Sequence, residues 1–258
     1  MPGKNPGHCL RHCNTPCMIW IQALLLNGAL IALAQRVPVL TAQGWIHAGA
    51  LGTILWGCLG WQGWAAVVLY LILGSLVTRI GFRSKQERGL AEGRGGRRGP
   101  ENVWGSAATG AILALLIGAG VAPKQLLLVG FAASFAAKLA DTFGSEIGKR
   151  WGGQPVLITT LQPVPSGTDG AISLEGTLAS AVGSGLMTVV MLALGLLPSI
   201  PTALGVMLIG LIATLAESLI GALAQNRVRW LSNELVNAVQ TLLAAVMAMV
   251  AVVSIPGL

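Results

Sequence analysis

The fold turns on the stretch Gln125-Leu-Leu-Leu-Val-Gly-Phe-Ala-Ala-Ser134-Phe-Ala-Ala-Lys138-Leu-Ala-Asp141-Thr-Phe-Gly-Ser145-Glu146-Ile-Gly148. It is long and apolar enough to cross a bilayer as one helix, yet it carries Lys138, Asp141 and Glu146. A charge near the bilayer centre costs about 2.5–3.5 kcal/mol on insertion scales, so charges kept in such a segment do chemistry, bind ions or pair inside a bundle. The spacing says which face they occupy. Ser134, Lys138, Asp141 and Ser145 follow i, i+4, i+7 and i+11 and form one polar stripe, with Glu146 turned away from Asp141.

The rest of the chain has the same character. Hydrophobic residues make up 54% of it, charged residues 10%, and the mean hydropathy is +0.74, which describes an all-α, polytopic transmembrane helical bundle. The apolar stretches predict about seven or eight spans, at roughly 18–34, 41–59, 61–80, 103–121, 125–148, 173–197, 202–225 and 233–254. Only Gly60 separates the second from the third, so the pair is either two spans or one span with a re-entrant or interfacial segment. Pro38, Pro123, Pro155, Pro198 and Pro201 fall between spans, where a missing donor does least harm. Gly176, Ser180 and Ser184, at four-residue spacing, offer a face on which a second helix can come close. Residues 18–258 therefore read as one integral-membrane domain with a loop at 81–102. Residues 1–17 read as a tail expected to lack order, with Met18 as the alternative start. Its His8, Cys9, His12, Cys13 and Cys17 match no zinc spacing.

Lysine and arginine are retained on the cytoplasmic side of membrane proteins. With eight spans and the N-terminus outside, Arg36, the basic residues from Arg79 to Arg98, Lys149, Arg150, Arg227 and Arg229 are cytoplasmic, leaving Lys4, Arg11 and Lys124 outside. All nine acids then collect near the same face. The two aspartates are Asp141 and Asp169, each followed closely by a glutamate, Glu146 and Glu175. Glu217 lies in the inner half of the seventh span, about 22 Å along it at 1.5 Å per residue. Asn233, Asn237 and Thr241 make a second polar stripe at the start of the eighth, backed by Glu234 and Gln240. Taken alone these polar groups could be interhelical bonds, such as Lys138 with Asp141, worth about 0.6 kcal/mol each. Their collection at one face argues instead for a polar site open to soluble ligands and to lipid.

The loop Lys85-Gln-Glu-Arg88-Gly-Leu-Ala-Glu92-Gly-Arg94-Gly-Gly-Arg97-Arg98-Gly-Pro-Glu101-Asn102 is the second signal. Its glycines permit tight backbone turns and its arginines suit bidentate phosphate binding. A basic anchor on anionic headgroups would also be arginine-rich, but does not require Glu92, Asn102 and closely set glycines. Gly144 to Arg150 is one residue short of a P-loop and ends without its Ser or Thr, and Gly93 to Gly96 follows no predicted strand. Nucleic acid is excluded as a partner, because topology accounts for the net charge of +7 and no binding module is visible.

Four segments carry a family resemblance: Lys85 to Asn102 with its Glu92-Gly-Arg-Gly-Gly-Arg97-Arg98 core, Phe131 to Gly148, Thr168-Asp169-Gly, and Glu217-Ser-Leu-Ile-Gly221. The chain resembles the transmembrane protein 19 family over nearly everything after the first span, and within it the plant and cyanobacterial branch known as phytyl-phosphate kinase. That resemblance implies a cyanobacterial plasma or thylakoid membrane enzyme, with its site on the cytoplasmic or stromal face. It implies transfer of the γ-phosphoryl group of a nucleoside triphosphate, CTP by analogy with related prenol kinases, to phytyl or another prenyl phosphate. The product, phytyl diphosphate, serves tocopherol and phylloquinone synthesis.

A phosphate monoester has a second pKa near 6, so the nucleophile is already ionised at neutral pH and no general base is needed. The carboxylates are then better read as Mg²⁺ ligands, Asp141 and Asp169 first, Glu146 and Glu175 second. Lys138 and Glu217 complete the expected catalytic set. Lys85, Arg88, Glu92, Arg97, Arg98, Asn102, Ser145, Thr168, Asn233, Glu234 and Asn237 are the expected groups around the phosphates, and the prenyl chain would lie between helices. Two other readings use the same residues. A cytidylyltransferase would attack the α-phosphorus, and a transporter would hold its charges near the midplane between repeats.

Overall fold

The computed structural model describes residues 14–225, 228 and 230–255. In chain order the helices are α1 (Asn14–Ala34), α2 (Ala42–Arg79), the short α3 (Phe82–Glu87), the single turn α4 (Gly93–Gly96), α5 (Pro100–Gly118), α6 (Lys124–Trp151), α7 (Leu174–Ala193), α8 (Ile200–Ile220) and α9 (Asn233–Ser254). A π-helical turn, Gly221–Gln225, extends α8, and a two-stranded hairpin of β1 (Val156–Leu157) and β2 (Ala171–Ile172) interrupts the α6–α7 connection. Five of these helices, α2, α6, α7, α8 (taken to Gln225) and α9, are long and apolar enough to cross a membrane. The metal-ligand types noted at residues 8–13, and Arg227, fall outside the described residues, as does Arg229.

α6 is the axis of the bundle. Phe131, Ala132, Ala133, Phe135, Ala136, Ala137, Leu139 and Ala140 are wholly buried, on every side of the helix. A helix apolar all round belongs inside, and its small residues let neighbours approach backbone to backbone. Gly144 and Gly148 face Gly176 of α7, and Ser180 stands against Gly144. One turn further on, Gly183 meets the Leu139 carbonyl. Ser184 turns to α8 and donates to the Met207 carbonyl at 2.7 Å, beside Gly210. The small-residue face read at Gly176, Ser180 and Ser184 is thus shared between two neighbours.

Gly60 folds α2 back on itself. Its φ of 72° and ψ of −167° lie outside the helical region, a left-handed φ that glycine adopts without a Cβ penalty. Trp56 and Trp64 pack edge to face with centroids 5.5 Å apart, and Trp64 Nε1 lies beside Gly52. In a straight helix Gly52 and Trp64 would stand about 18 Å apart at 1.5 Å per residue. The two halves are therefore an antiparallel pair, and Asn27 of α1 clamps them by accepting from Trp64 Nε1 at 3.0 Å.

Chain direction then fixes two ends. The α1–α2 linker, the 80–99 loop, the α6–α7 connection and the start of α9 share one end, which carries Arg36, Arg79, Arg88, Arg94, Arg97, Arg98, Lys149 and Arg150. The other end holds Gly60, the 119–123 turn and the 194–199 turn, with Lys124 as its basic residue among those described. All nine acids belong to the first end.

Candidate functional site

A cavity of about 250 Å³ opens at the basic end. Thr214 in its lining belongs to one interhelical network. Gln240 of α9 donates to the Ala137 carbonyl of α6 and to Thr214 Oγ1 of α8, both at 3.1 Å, and Thr214 donates to the same Ala137 carbonyl at 3.2 Å. One turn above, Lys138 and Asp141 form an ion pair on the α6 wall, each side chain largely buried. Glu217 of α8 stands close enough to both Asp141 and Asp169 to feel their charges.

Asp169 arrives from the hairpin. Ile158 N–H donates to the Gly170 carbonyl at 3.0 Å and Ala171 N–H to the Thr168 carbonyl at 3.0 Å, which turns the Thr168-Asp169-Gly170 corner inward. Gly170 has a φ of 78°, and a Cβ there would lie 2.7 Å from the Ser218 carbonyl and from the Ala222 amide. The corner can seat against the end of α8 only because residue 170 lacks a side chain. Gly221, where a Cβ would come within 3.2 Å of Gly170 N, completes that contact in the π-helical turn.

Arg98 supplies a further cation to the lining. Its backbone is pinned to the α1–α2 linker, donating to the Val39 carbonyl at 3.1 Å and accepting from Thr41 N–H at 3.0 Å. Its guanidinium reaches Thr78 Oγ1 at 3.3 Å and the Gly74 carbonyl at 3.4 Å, with no carboxylate partner among the described residues. The neighbouring Asn102 spends its side-chain oxygen on Gly99 N–H at 3.0 Å and keeps its NH₂ for the cavity it lines.

Three helices begin here. The first turn of α7 (Ser173, Gly176, Thr177), Asn102 of α5 and Asn233 of α9 all line the cavity, so three positive dipole ends point at it. Glu101, Glu175 and Glu234 occupy the first turns of the same helices, where a carboxylate complements the dipole. The Glu101 carboxyl is held below the usual carboxylate range by its own backbone N–H and by Arg94.

Of the residues singled out in the sequence, the cavity brings together Lys138, Asp141, Ser145, Glu146, Glu92, Arg98, Asn102, Thr168, Asp169, Glu217, Asn233 and Asn237. It does not bring in the others. Lys85 is fully buried and ion-paired with Glu146, and also donates to the Thr78 carbonyl at 3.0 Å. Glu146 thus meets the cavity with its charge already matched from behind. Arg88 caps the C-terminal end of α6 through the Lys149 carbonyl, Arg94 pairs with Glu101, and Arg97 is exposed. Glu175 is exposed outside the cavity, and Glu234 packs its backbone on Gly105. Sequence reading passed over Tyr70, Ser106, Thr142, Lys149 and Ser218, which also line the cavity. Tyr70 carried one available signal, as the single tyrosine in the chain and a polar tip within an apolar span.

The charge balance defines the chemistry. Asp141 and Glu146 are paired by Lys138 and Lys85, while Glu92, Asp169 and Glu217 have no cation within salt-bridge range among the described residues. Among those residues no three His, Cys, Asp or Glu side chains converge as a ready-made metal cage. The donor set is nevertheless all oxygen, which suits a hard cation, and Mg²⁺ is commonly held by one or two carboxylates with substrate phosphates supplying the rest. Asp141 and Asp169 fit that arrangement.

A bundle of apolar helices with a charged cavity at one end defines a multi-pass integral membrane protein. The chain belongs to the family described as integral membrane protein DUF92, matched over residues 25–245. This is the transmembrane protein 19 family expected from the motifs, and the chain falls with its VTE6 branch. It is 49% identical over 232 residues to an uncharacterized membrane protein of Synechocystis, covering 89% of this chain and 90% of that one. It is 39% identical over 237 residues to the chloroplastic protein VTE6 of Arabidopsis thaliana, covering 89% and 71%. An uncharacterized membrane protein of Methanocaldococcus jannaschii is 31% identical over 224 residues, covering 87% and 90%. No solved structure matches the chain.

Proposed function

We propose that this protein is a membrane-embedded kinase that transfers the γ-phosphoryl group of a nucleoside triphosphate, CTP in the first instance, to phytyl or a related prenyl phosphate. The observation that carries the reading is the cavity lined by Asp141, Asp169, Glu217 and Arg98 together, at the basic end of an apolar bundle. The similarity to VTE6 supports the prenyl-phosphate class of substrate. Eight crossings follow if α1, both halves of α2 and α5 span as well, with the basic end cytoplasmic or stromal by the positive-inside rule. The membrane is then a cyanobacterial plasma or thylakoid membrane.

In this reading a non-bridging oxygen of the prenyl monophosphate attacks the γ-phosphorus. The bond from that phosphorus to the β–γ bridging oxygen breaks, and the nucleoside diphosphate leaves with its electron pair. The attacking oxygen is already ionised at neutral pH, so neither Asp141 nor Asp169 acts as a base. Asp141 and Asp169 would hold Mg²⁺, which would neutralise phosphate charge when bound. Arg98 grips an acceptor or donor phosphate through its fork of donors, and the amides of Asn102, Asn233 and Asn237 orient the oxygens. Lys138 keeps Asp141 in place, and Glu217 limits the site to ligands that bring cations with them. Phosphoryl transfer is catalysed mainly by positioning and charge neutralisation, which this donor set can provide.

The test is purified protein with Mg²⁺, CTP and phytyl phosphate, the products read by mass spectrometry. Phytyl diphosphate with CDP is the expected outcome. A CDP-lipid with pyrophosphate would identify a cytidylyltransferase instead, and no turnover across several triphosphates and prenyl phosphates would end the kinase reading.

A further inference from the structure

A second cavity, of about 300 Å³, lies between α1, both halves of α2 and α5. Its walls are apolar, with Leu51, Val67, Val68, Leu71, Val103 and Ala107 among them. Asn27 is spoken for, accepting from Trp64 and donating to the Ala23 carbonyl at 2.8 Å. The remaining polar side chains are Tyr70, Arg98, Asn102 and Ser106, and these same four line the charged cavity. The two spaces therefore meet at one polar threshold. Across it the surroundings change from hydrocarbon to carboxylates and helix N-termini.

The threshold has an unfilled bonding position. Tyr70 is 5% exposed, its ring held edge to face on Phe135 at 5.4 Å, and its hydroxyl has no hydrogen-bond partner among the described residues. Buried hydroxyls are almost always bonded, so a group that accepts from Tyr70 and from Arg98 together is the natural complement. A phosphate ester oxygen is such a group. The apolar cavity also has a mouth. Leu30 and Ile72 line it and are 39% and 47% exposed, so it opens sideways on the lipid-facing surface of the bundle. Along α1 it runs from Asn27 to Ala34, about 10 Å at 1.5 Å per residue. That volume is at the small end for ligand pockets, which suits the leading part of one chain rather than the two chains of a phospholipid.

We infer that this groove is the tail site for a single-chain isoprenoid monophosphate, which enters from the bilayer between α1 and the second half of α2 with its phosphate stopping at Tyr70 and Arg98. This rests on the kinase reading for the identity of the head group, but not for the existence of the site. The rest of the chain trails past Leu30 and Ile72 into lipid, so the groove selects for an apolar first segment and leaves the far end unread.

The experiment is photolabelling of the full-length protein in phospholipid nanodiscs with a diazirine-bearing phytyl phosphate, adducts mapped by mass spectrometry. Adducts on α1, α2 and α5 around Leu30, Val68 and Ile72, competed by excess phytyl phosphate but not by added phospholipid, are the expected result. Val68→Phe, which fills the groove, is expected to lose those adducts and to raise KM for phytyl phosphate about tenfold, as lost uniform binding does. Competed adducts confined to the outer faces of α7 and α8, with turnover intact, would overturn the groove and leave the kinase standing. Competed groove adducts without turnover of any triphosphate would support the groove and end the kinase reading. Adducts displaced equally by phospholipid would mean ordinary lipid fills the space and would overturn the proposal.

Discussion

Lys85 reaches in from the loop to form a buried ion pair with Glu146 of α6, the two side chains 0% and 6% exposed. The pair fastens the phosphate-side loop to the central helix, because Lys85 also bonds the Thr78 carbonyl at the end of α2. Removing one partner of a buried pair strands the other charge and costs about 3–5 kcal/mol, while replacing both by apolar residues is often neutral. Lys85→Met is therefore expected to lower the unfolding midpoint in detergent sharply, and Lys85→Met with Glu146→Leu to recover most of it. If the single variant keeps wild-type stability and loses only activity, Lys85 is a ligand and not a fastener.

Asp169 makes the opposite prediction. It has no cation within salt-bridge range among the described residues and shares the cavity with Glu217, so removing its charge breaks no ion pair. Asp169→Asn should leave thermal stability unchanged or slightly raised and reduce phytyl diphosphate formation about a hundredfold or more, the scale of one electrostatic contact to a transition state. Full activity in this variant would remove Asp169 from the site. Asp141→Asn is the less clean test, since it also strands Lys138.

Much of this arrangement is legible in the residues, for reasons that can be named. The break at Gly60 and the stripe of Lys138, Asp141 and Ser145 are local, set by one glycine and by the 3.6-residue period. The positive-inside pattern needs only the order of charges. What resists reading is tertiary. A loop lysine turns inward only when a carboxylate 61 positions away is aimed at it, as Glu146 is at Lys85. Asp169 enters the site through a hairpin two residues to a strand, too short for a period-2 signal, and through the contact of Gly170 with Ser218 and Ala222. Glu175 and Glu234 looked like site acids by proximity in sequence. Both sit in the first turn of a helix, where a capping role draws the same residue type.

Gly170 tests the hairpin directly. Alanine there would have to adopt a φ of 78° and would press a methyl into the Ser218 carbonyl and Ala222. Strain of this kind costs about 1–3 kcal/mol. The corner would relieve it by backing away from α8 and carrying Asp169 with it. Gly170→Ala should lose most activity while the bundle, read by helical circular dichroism, stays intact. Retained activity would mean the corner closes only when substrate binds.

Arg98 separates charge from geometry. Its guanidinium is oriented before any ligand arrives, by Thr78 Oγ1 and the Gly74 carbonyl, and a Cβ on Gly74 would come within 3.1 Å of it. A hydrogen bond to a charged group is worth about 1.5–3 kcal/mol, or roughly ten- to a hundredfold in affinity. Arg98→Ala should raise KM for the phosphate it grips by that factor. Arg98→Lys keeps the positive charge but loses the fork and the two anchoring bonds, and it should recover only a small part. If lysine restores wild-type KM, Arg98 acts as a point charge. If the KM of the triphosphate moves and that of phytyl phosphate does not, the guanidinium belongs to the donor and not to the acceptor.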